Sequence, residues 1–330
     1  MKIKEKLISI LLVCIFIISL FSVTVYANNY IVDDSKVWDF IFELDRIPCG
    51  NELVELKIKG LRGGHSGENI SLGRANANIL MGQLLATVST EMKLNIVSMH
   101  GGSKDNAIPR ECTAIIAVED AKRASALAAC FEREVKLELC DDDCDFTLSC
   151  AKAGKYEKMI DDAGTKRLLT FMTVVKNGVI EMSKSLSGLV EYSRNFGVIY
   201  EEGDDVIFVC SSRSAIERQL DISQRELDML AELCSARVEH RGRYPGWAYS
   251  KDSELADKYI EICRENFGLE VEKEIIHAGL ECGVIKGKIP DMDCISCAPN
   301  LRDLHSPDEA LEISSFERFV LIVEKLLALI

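Results

Sequence analysis

Between residues 53 and 135 the sequence alternates between short strand-like runs and longer helix-like runs. Three runs are rich in apolar and β-branched residues: LVELKIKGL at 53–61, KLNIVSMHG at 93–101 and CTAIIAVE at 112–119. Two longer runs, at 71–88 and 120–135, place apolar residues at helical spacing. This order predicts a β-α-β-β-α-β sheet with its helices on one side, and hence an α/β architecture.

The chain continues in the same manner up to residue 237. The run 178–214 indicates strands joined by polar turns, and a helix is predicted over 223–237. The motif YEEGDDV carries four carboxylates at 201–205, but it lies between two strand-like runs. We therefore interpret it as a hairpin turn and not as a metal site.

A separate unit is predicted from Asp252 onwards. Residues 252–268 form a helix that stops at Gly268, and DMDCISCAP at 291–299 indicates a buried strand. Ser314 and Glu317 form a capping-box pattern at the start of the last helix.

The segment DDSKVWDFIFELDRIPCGNE predicts one amphipathic helix over about 35–48, stopped by Pro48 and Gly50. We assign this helix, within residues 28–52, and the segment 250–330 to an outer body. Residues 53–249 would then be an α+β domain inserted into it. The apolar residues at helical spacing are Val37, Phe40, Ile41 and Leu44.

Residues 1–27 have the pattern of a targeting segment. A basic start is followed by a long apolar run, and VYA offers a small-residue cleavage site before Asn28. We expect an exported protein. The apolar run approaches the length of a membrane span, so an uncleaved anchor is the alternative.

Composition narrows the possible partners. The net charge of −14 and the lack of a basic stripe argue against nucleic acid. The 13 cysteines are scattered, which suits a reducing compartment better than an exported disulfide framework. CISC at 294–297 is interpreted as a strand with packed thiols, and CDDDCD at 140–145 as a solvated acidic loop. Redox or metal chemistry is the alternative for both.

Several motifs resemble one enzyme family. LRGGHSGENISLGRANA at 61–77 resembles the lid-domain signature of the M20 metallopeptidases, in their aminoacyl-histidine (Xaa-His) dipeptidase branch. GGSKDNAIPREC is similar to the Asn-x-Ile-Pro-Arg-Glu segment of the same branch. SSRS, YPGWAY, HAGLECGVIKGKIPDMDCIS and LHSPDEALEISSFER follow in the family's order. The resemblance covers essentially everything from residue 53 to residue 330.

The resemblance implies an M20-type catalytic domain, truncated here, with an inserted α+β lid domain. In the family, two zinc ions activate a water beside a glutamate base, and the lid closes on a dipeptide. His305 would be a metal ligand. His65 would be the lid histidine, which in the family often reaches a partner subunit's active site, so a homodimer formed through the lid is implied.

The same resemblance implies further substrate-binding residues. Asn106 and Arg110 would orient the dipeptide, and Arg302 is a weaker candidate for its carboxylate. His277 and Glu281 would line the floor of the site.

The chain also departs from the family. The segment IPCGNE runs almost directly into LVELKIKG, although the family's His-x-Asp motif, bridging aspartate and paired glutamates lie between these two points. No His-x-Asp occurs in the 330 residues. We therefore assign no catalytic residue, and we expect hydrolysis to be impaired or absent. The alternatives are a non-catalytic peptide-binding or dimerisation module, or a decayed remnant.

Each residue assigned through the resemblance also has a purely structural interpretation. His65 could cap the helix that follows it. Asn106 could be a turn former, and Arg110 could be a solvated partner of Glu111. His305 could be a loop residue that binds no metal.

Overall fold

The structure is a computed structural model that describes residues 36–50, 52–184, 187–242, 252–271, 273, 281–302 and 310–329. The described residues fall into two compact units, one within 36–242 and the other within 252–329.

The larger unit contains, in its described part, thirteen strands and four helices. The strands are β1 (Lys36–Phe42), β2 (Arg46–Pro48), β3 (Glu52–Lys59), β4 (Gly64–His65), β5 (Leu94–Gly101), β6 (Ala107–Ile108), β7 (Cys112–Val118), β8 (Thr147–Lys152), β9 (Lys158–Ile160), β10 (Gly178–Met182), β11 (Val190–Glu202), β12 (Asp205–Ser214) and β13 (Arg237–Arg241). The helices are α1 (Ala77–Glu91), α2 (Ala121–Val135), α3 (Asp162–Val174) and α4 (Glu217–Leu233).

Nine of these strands form one antiparallel sheet. Its order is β13-β1-β12-β11-β5-β7-β3-β8, and β10 pairs with β11 beside this path. All four helices contribute side chains to a single core against one face of the sheet. The predicted β-α-β-β-α-β order is confirmed as β3-α1-β5-β7-α2-β8.

The first described segment is a strand, so the helix predicted over 35–48 is wrong. β1 pairs with β12 on one side and β13 on the other, and alternate residues from Trp38 to Phe42 are fully buried in the helix-covered core. Val37 and Ile41 pack on the opposite face. A strand that is buried on both faces does not alternate between apolar and polar residues. The apolar residues of this segment therefore also fitted the spacing of a helix. This segment therefore belongs to the larger unit and not to the outer body.

The predictions for two short polar motifs, YEEGDDV and CDDDCD, fare differently in the structure. The hairpin turn predicted from YEEGDDV is confirmed, because Glu202 pairs with Asp205 across Gly203, which has a φ of +66°. CDDDCD is not simply a solvated loop. It forms a 3₁₀ turn over Asp141–Asp143, in which Asp143 is completely buried.

The smaller unit is mostly helical in its described part. It contains α5 (Glu254–Phe267), α6 (Glu281–Lys288), α7 (Ile313–Leu329) and the paired short strands β14 (Leu301–Arg302) and β15 (Ala310–Leu311). The predicted stop of α5 is confirmed, because Gly268 caps it in the left-handed conformation. The buried cluster of this unit consists of Ile262, Cys263, Ile322 and Leu326.

Two local predictions for the smaller unit are wrong. Residues 291–299 form no strand. The last helix begins at Ile313, and the Ser314 hydroxyl donates to the carboxylate of Glu312 instead of forming a capping box with Glu317. Ser314 lies inside the helix and not at the N-cap position that a capping box requires.

Other predictions fall on residues that the structure does not describe. The leader at 1–27, His277 and His305 all lie outside the described residues. Within the described ranges, no helix is both long enough and apolar enough to span a membrane. The twelve cysteines from Cys49 to Cys297 are free thiols. Burial raises the pKa of Cys210 to about 12, as expected for a thiol that serves in packing.

Candidate substrate-binding site

His65 lies in a tight turn between β3 and α1, where it is paired with Ala107. Its backbone N–H donates to the side-chain oxygen of Asn69 at 2.9 Å. Its ring Nδ1 accepts hydrogen bonds from the backbone N–H groups of Gly67 and Glu68, each at 3.3 Å. Because an accepting Nδ1 carries no proton, the neutral imidazole has its proton on Nε2, where it can act as a hydrogen-bond donor.

The capping role considered for His65 belongs to another residue. The side chain of Asn76 accepts from the N–H groups of Asn78 and Ile79 at the start of α1. His65 caps only its own turn. Its Nδ1 is therefore used for structure, while the tautomer places a donor at the other ring nitrogen.

The loop that carries Asn106 is attached to both the His65 turn and the sheet. The N–H of Ser66 donates to the carbonyl oxygen of Asn106 at 2.8 Å. The amide of Asn195 donates to the carbonyl oxygens on either side of Asn106, at 2.9 and 2.8 Å, and Ser211 donates to the preceding one at 2.9 Å. Buried side chains of β11 and β12 thus hold this loop in place.

Two arginines lie beside the His65 turn and, together with His65 and Asn106, form the candidate binding cluster. Arg110 is exposed and lies so close to Gly63 that a Cβ atom at Gly63 would be 2.6 Å from its Cγ. Arg213, at the end of β12, is 4% exposed, and its Nε lies 3.4 Å from the hydroxyl of Ser66. Guanidinium groups bind carboxylates through paired hydrogen bonds, so the cluster suits an anionic group.

A second buried arginine braces β11 and β12 from the helix-covered side. Arg194 is 2% exposed, and it donates to Ser212 at 3.2 Å, to Ser223 at 3.0 Å and to Glu226 at 3.1 Å. Partial burial raises the pKa of the Glu226 carboxyl. Hydrogen bonds from Lys176 and Arg194 outweigh this effect, so the net pKa lies below the ordinary 4.5.

Comparison with known proteins shows which protein family this chain resembles. The peptidase dimerisation domain of the M20 family matches residues 56–135. The cytosol non-specific dipeptidase of Escherichia coli is 34% identical over 288 residues. The crystal structure of aminoacylhistidine dipeptidase from Vibrio alginolyticus superposes with a TM-score of 0.80 at 34% identity, over 89% of this chain. The chain belongs to the M20 peptidase family. Within it, the chain falls in the aminoacyl-histidine dipeptidase branch.

The matches cover most of this chain but a smaller fraction of each M20 relative. It covers 86% of this chain but 59% of the E. coli protein, and 60% of the Vibrio chain. The chain thus spans about three fifths of each relative. The predicted fold class, an α/β protein of the M20 type with an α+β lid domain, is confirmed.

The structure brings together only some of the residues that the resemblance implied. In the larger unit, His65 is paired with Ala107, next to Asn106, and Arg110 lies against Gly63, so these three residues are neighbours around one turn. Arg302 is exposed on β14 of the smaller unit, and Glu281 begins α6. The roles assigned to all five of these residues stay predictions, as do those of the two histidines outside the described residues.

The described residues do not fit the implied zinc pair. Within them, no group of three or more His, Cys, Asp or Glu side chains is arranged to hold a metal ion. A catalytic zinc needs about three protein ligands and an open position. We therefore derive no catalytic step through a metal.

Sequence reasoning missed two residues that shape the site. Arg213 is part of the quoted SSRS motif, where a cation in a strand otherwise made of small and apolar residues was the available signal. Asp143 was hidden among three neighbouring aspartates, and no pattern along the chain distinguishes it from them.

Proposed function

We propose that this chain is a dipeptide-binding member of the M20 family that by itself hydrolyses its ligand poorly or not at all. The observation that carries the proposal is the convergence of His65, Asn106, Arg110 and Arg213 around one turn. The named relatives are dipeptidases, one of them for aminoacyl-histidine, so dipeptides of that class are the proposed ligands.

The chemistry of the cluster supports binding. The guanidinium groups of Arg110 and Arg213 can pair with a terminal carboxylate. The Nε2–H of His65 can donate to a peptide carbonyl or to an oxyanion. A site of this kind orients a peptide without needing a nucleophile.

The sequence supports the loss of hydrolysis. The family's His-x-Asp occurs nowhere in the 330 residues, and no paired glutamates lie between IPCGNE and LVELKIKG, where the family has them. The attacking water and its general base would be lost with these residues. General-base assistance alone contributes about 10²–10⁴-fold to such reactions. An active enzyme would need ligands from residues we have not recognised or from a complementing chain.

We also propose a homodimer formed through the lid. The description of the matched domain, over residues 56–135, is the support for this proposal. The apolar leader at 1–27 would direct export, or would anchor the chain in a membrane if it is not cleaved.

Calorimetric titration of the full-length, zinc-supplemented chain with β-alanyl-histidine tests binding. We expect saturable binding that His65→Ala and Arg213→Ala each weaken at least about tenfold, since each removes a donor to the ligand. His240→Ala is the matched control, because His240 pairs with Asp228 at the surface. Absence of saturable binding in the wild type would refute the proposal.

Release of free histidine from the same dipeptide tests the catalytic part of the proposal. We expect no release above the rate in buffer, with or without a chelator. Turnover that a chelator abolishes would show an active dipeptidase, and our statement about hydrolysis would then be wrong.

A further inference from the structure

The turn that carries His65 belongs to a longer loop, residues 62–75, here called the His65 loop. Both ends of this loop are bound by one side chain. The backbone N–H of Arg62 donates to Oδ1 of Asp143 at 2.7 Å, and the N–H of Ala75 donates to Oδ2 at 2.7 Å. One carboxylate therefore closes the loop at its base.

This carboxylate is wholly inside the protein. Asp143 is 0% exposed and lies in the 3₁₀ turn that precedes β8. Hydrogen bonds from backbone N–H groups to an ionised carboxylate are about twice as strong as neutral ones. Loss of either acceptor oxygen would leave a backbone N–H without its partner.

The neighbouring aspartate adds a second connection. Asp142 accepts from Nε of Arg74 at 2.8 Å, and Nη1 of Arg74 donates to the carbonyl oxygen of Gly63 at 2.7 Å. This chain of contacts ends two residues before His65. Both aspartates thus act on the backbone that sets the direction of the imidazole.

We propose that Asp143 is a positioning residue for the dipeptide site. It holds the His65 loop in the conformation in which Nδ1 accepts from the backbone and Nε2 carries the proton. This proposal rests on the proposed function for its ligand, and Asp142 contributes through Arg74. The acidic motif, which in sequence resembles a solvated loop, is a brace for the site.

Closing a loop in advance lowers the conformational cost of binding. A loop of this length that is fixed only by its short strand pair would sample other arrangements, and the ligand would then have to order it. A purely structural role for Asp143 would change the stability of the whole fold and leave the folded site as it is. The two roles therefore differ in their effect on the folded protein.

The test compares Asp143→Asn with Asp141→Asn, a matched control in the same turn whose side chain is exposed. An asparagine at 143 keeps the shape but replaces one acceptor oxygen by a donor. Nitrogen NMR of the His65 ring, in the full-length protein without ligand, reports which ring nitrogen carries the proton. We expect one dominant tautomer in the wild type and in Asp141→Asn, and a tautomer mixture in Asp143→Asn.

Titration with β-alanyl-histidine is the second readout. We expect Asp143→Asn to weaken binding by about tenfold, Asp142→Asn by about two- to threefold, and Asp141→Asn not at all. Urea unfolding of each variant identifies the fraction that is folded under these conditions. If Asp143→Asn does not fold, the same two measurements on Asp142→Asn decide the question.

A wild-type tautomer and wild-type affinity in the folded variants would overturn the proposal. Failure of the proposed function gives a different result. In that case the wild type binds no dipeptide, while the His65 ring still responds to the substitution at Asp143.

Discussion

At position 63 the chain needs a glycine for two separate reasons. Gly63 has a φ of +62°, a conformation that costs other residues about 1–2 kcal/mol. A Cβ atom there would also lie 2.6 Å from the carbonyl oxygen of Ile108 and 2.6 Å from Cγ of Arg110. The first cost is general, whereas the second arises because the His65 loop passes so close to the Asn106 loop.

The substitution Gly63→Ala should therefore cost more than a positive φ alone. Gly73 provides the control, since its φ is +72° and nothing lies within 4 Å of a Cβ placed there. We expect Gly73→Ala to lower the free energy of unfolding by about 1 kcal/mol and Gly63→Ala by about 2–4 kcal/mol, because overpacking adds to strain. Urea denaturation measures both. Equal losses would contradict the close approach of Arg110 and Ile108.

At the scale of elements, β11 and α4 are joined through one acid. Glu226 of α4 lies 2.9 Å from Lys176 and 3.1 Å from the buried Arg194 of β11. Its pKa is lower in the folded state than in the unfolded chain. The ionised form therefore stabilises the fold fully above about 4.5, the ordinary value, and this contribution is lost as the pH falls through the lower folded-state pKa.

Glu226→Gln should remove this pH-dependent contribution. We expect the variant to be less stable than the wild type at neutral pH, with a difference that shrinks as the pH falls below about 4.5. Free energies of unfolding measured across the acid range check this. Glu232→Gln, an exposed position on the same helix, is the control. Parallel curves for Glu226→Gln and the wild type would show that the acid is not coupled to folding.

At the scale of the whole molecule, the described parts of the two units have hydrophobic clusters of very different size. The larger unit buries aromatic and aliphatic side chains from four helices and the sheet in one cluster, with Phe171 in ring contact with Phe40, Phe42, Phe196 and Phe208. Among the described residues of the smaller unit, the buried hydrophobic cluster has four members. Small cores supply little stability, because the apolar area removed from water sets the main favourable term.

The smaller unit should accordingly open first. In hydrogen exchange at increasing urea, we expect amides of α5 and α7 to lose protection at lower denaturant than amides of β11, β12 and α3. The physical reason is the difference in buried apolar area. Loss of protection in all five elements at one urea concentration would contradict it.

The sequence by itself determined the features that depend on near neighbours in the chain. These are the strand and helix order over 53–135, the hairpin turn at Gly203, the stop at Gly268 and the family motif around His65. Each depends on residue spacing or on the backbone preference of glycine, which are read within a few positions.

Only the tertiary structure decided the rest. It made Lys36–Phe42 a strand, because β12 and β13 flank it, and it placed Arg213 beside Ser66, 147 positions away in the chain. It also distinguished Asp143 from its neighbours through a hydrogen bond to the N–H of Arg62, 81 positions away. Contacts at such separations depend on how the sheet folds back on itself, and no local pattern records them.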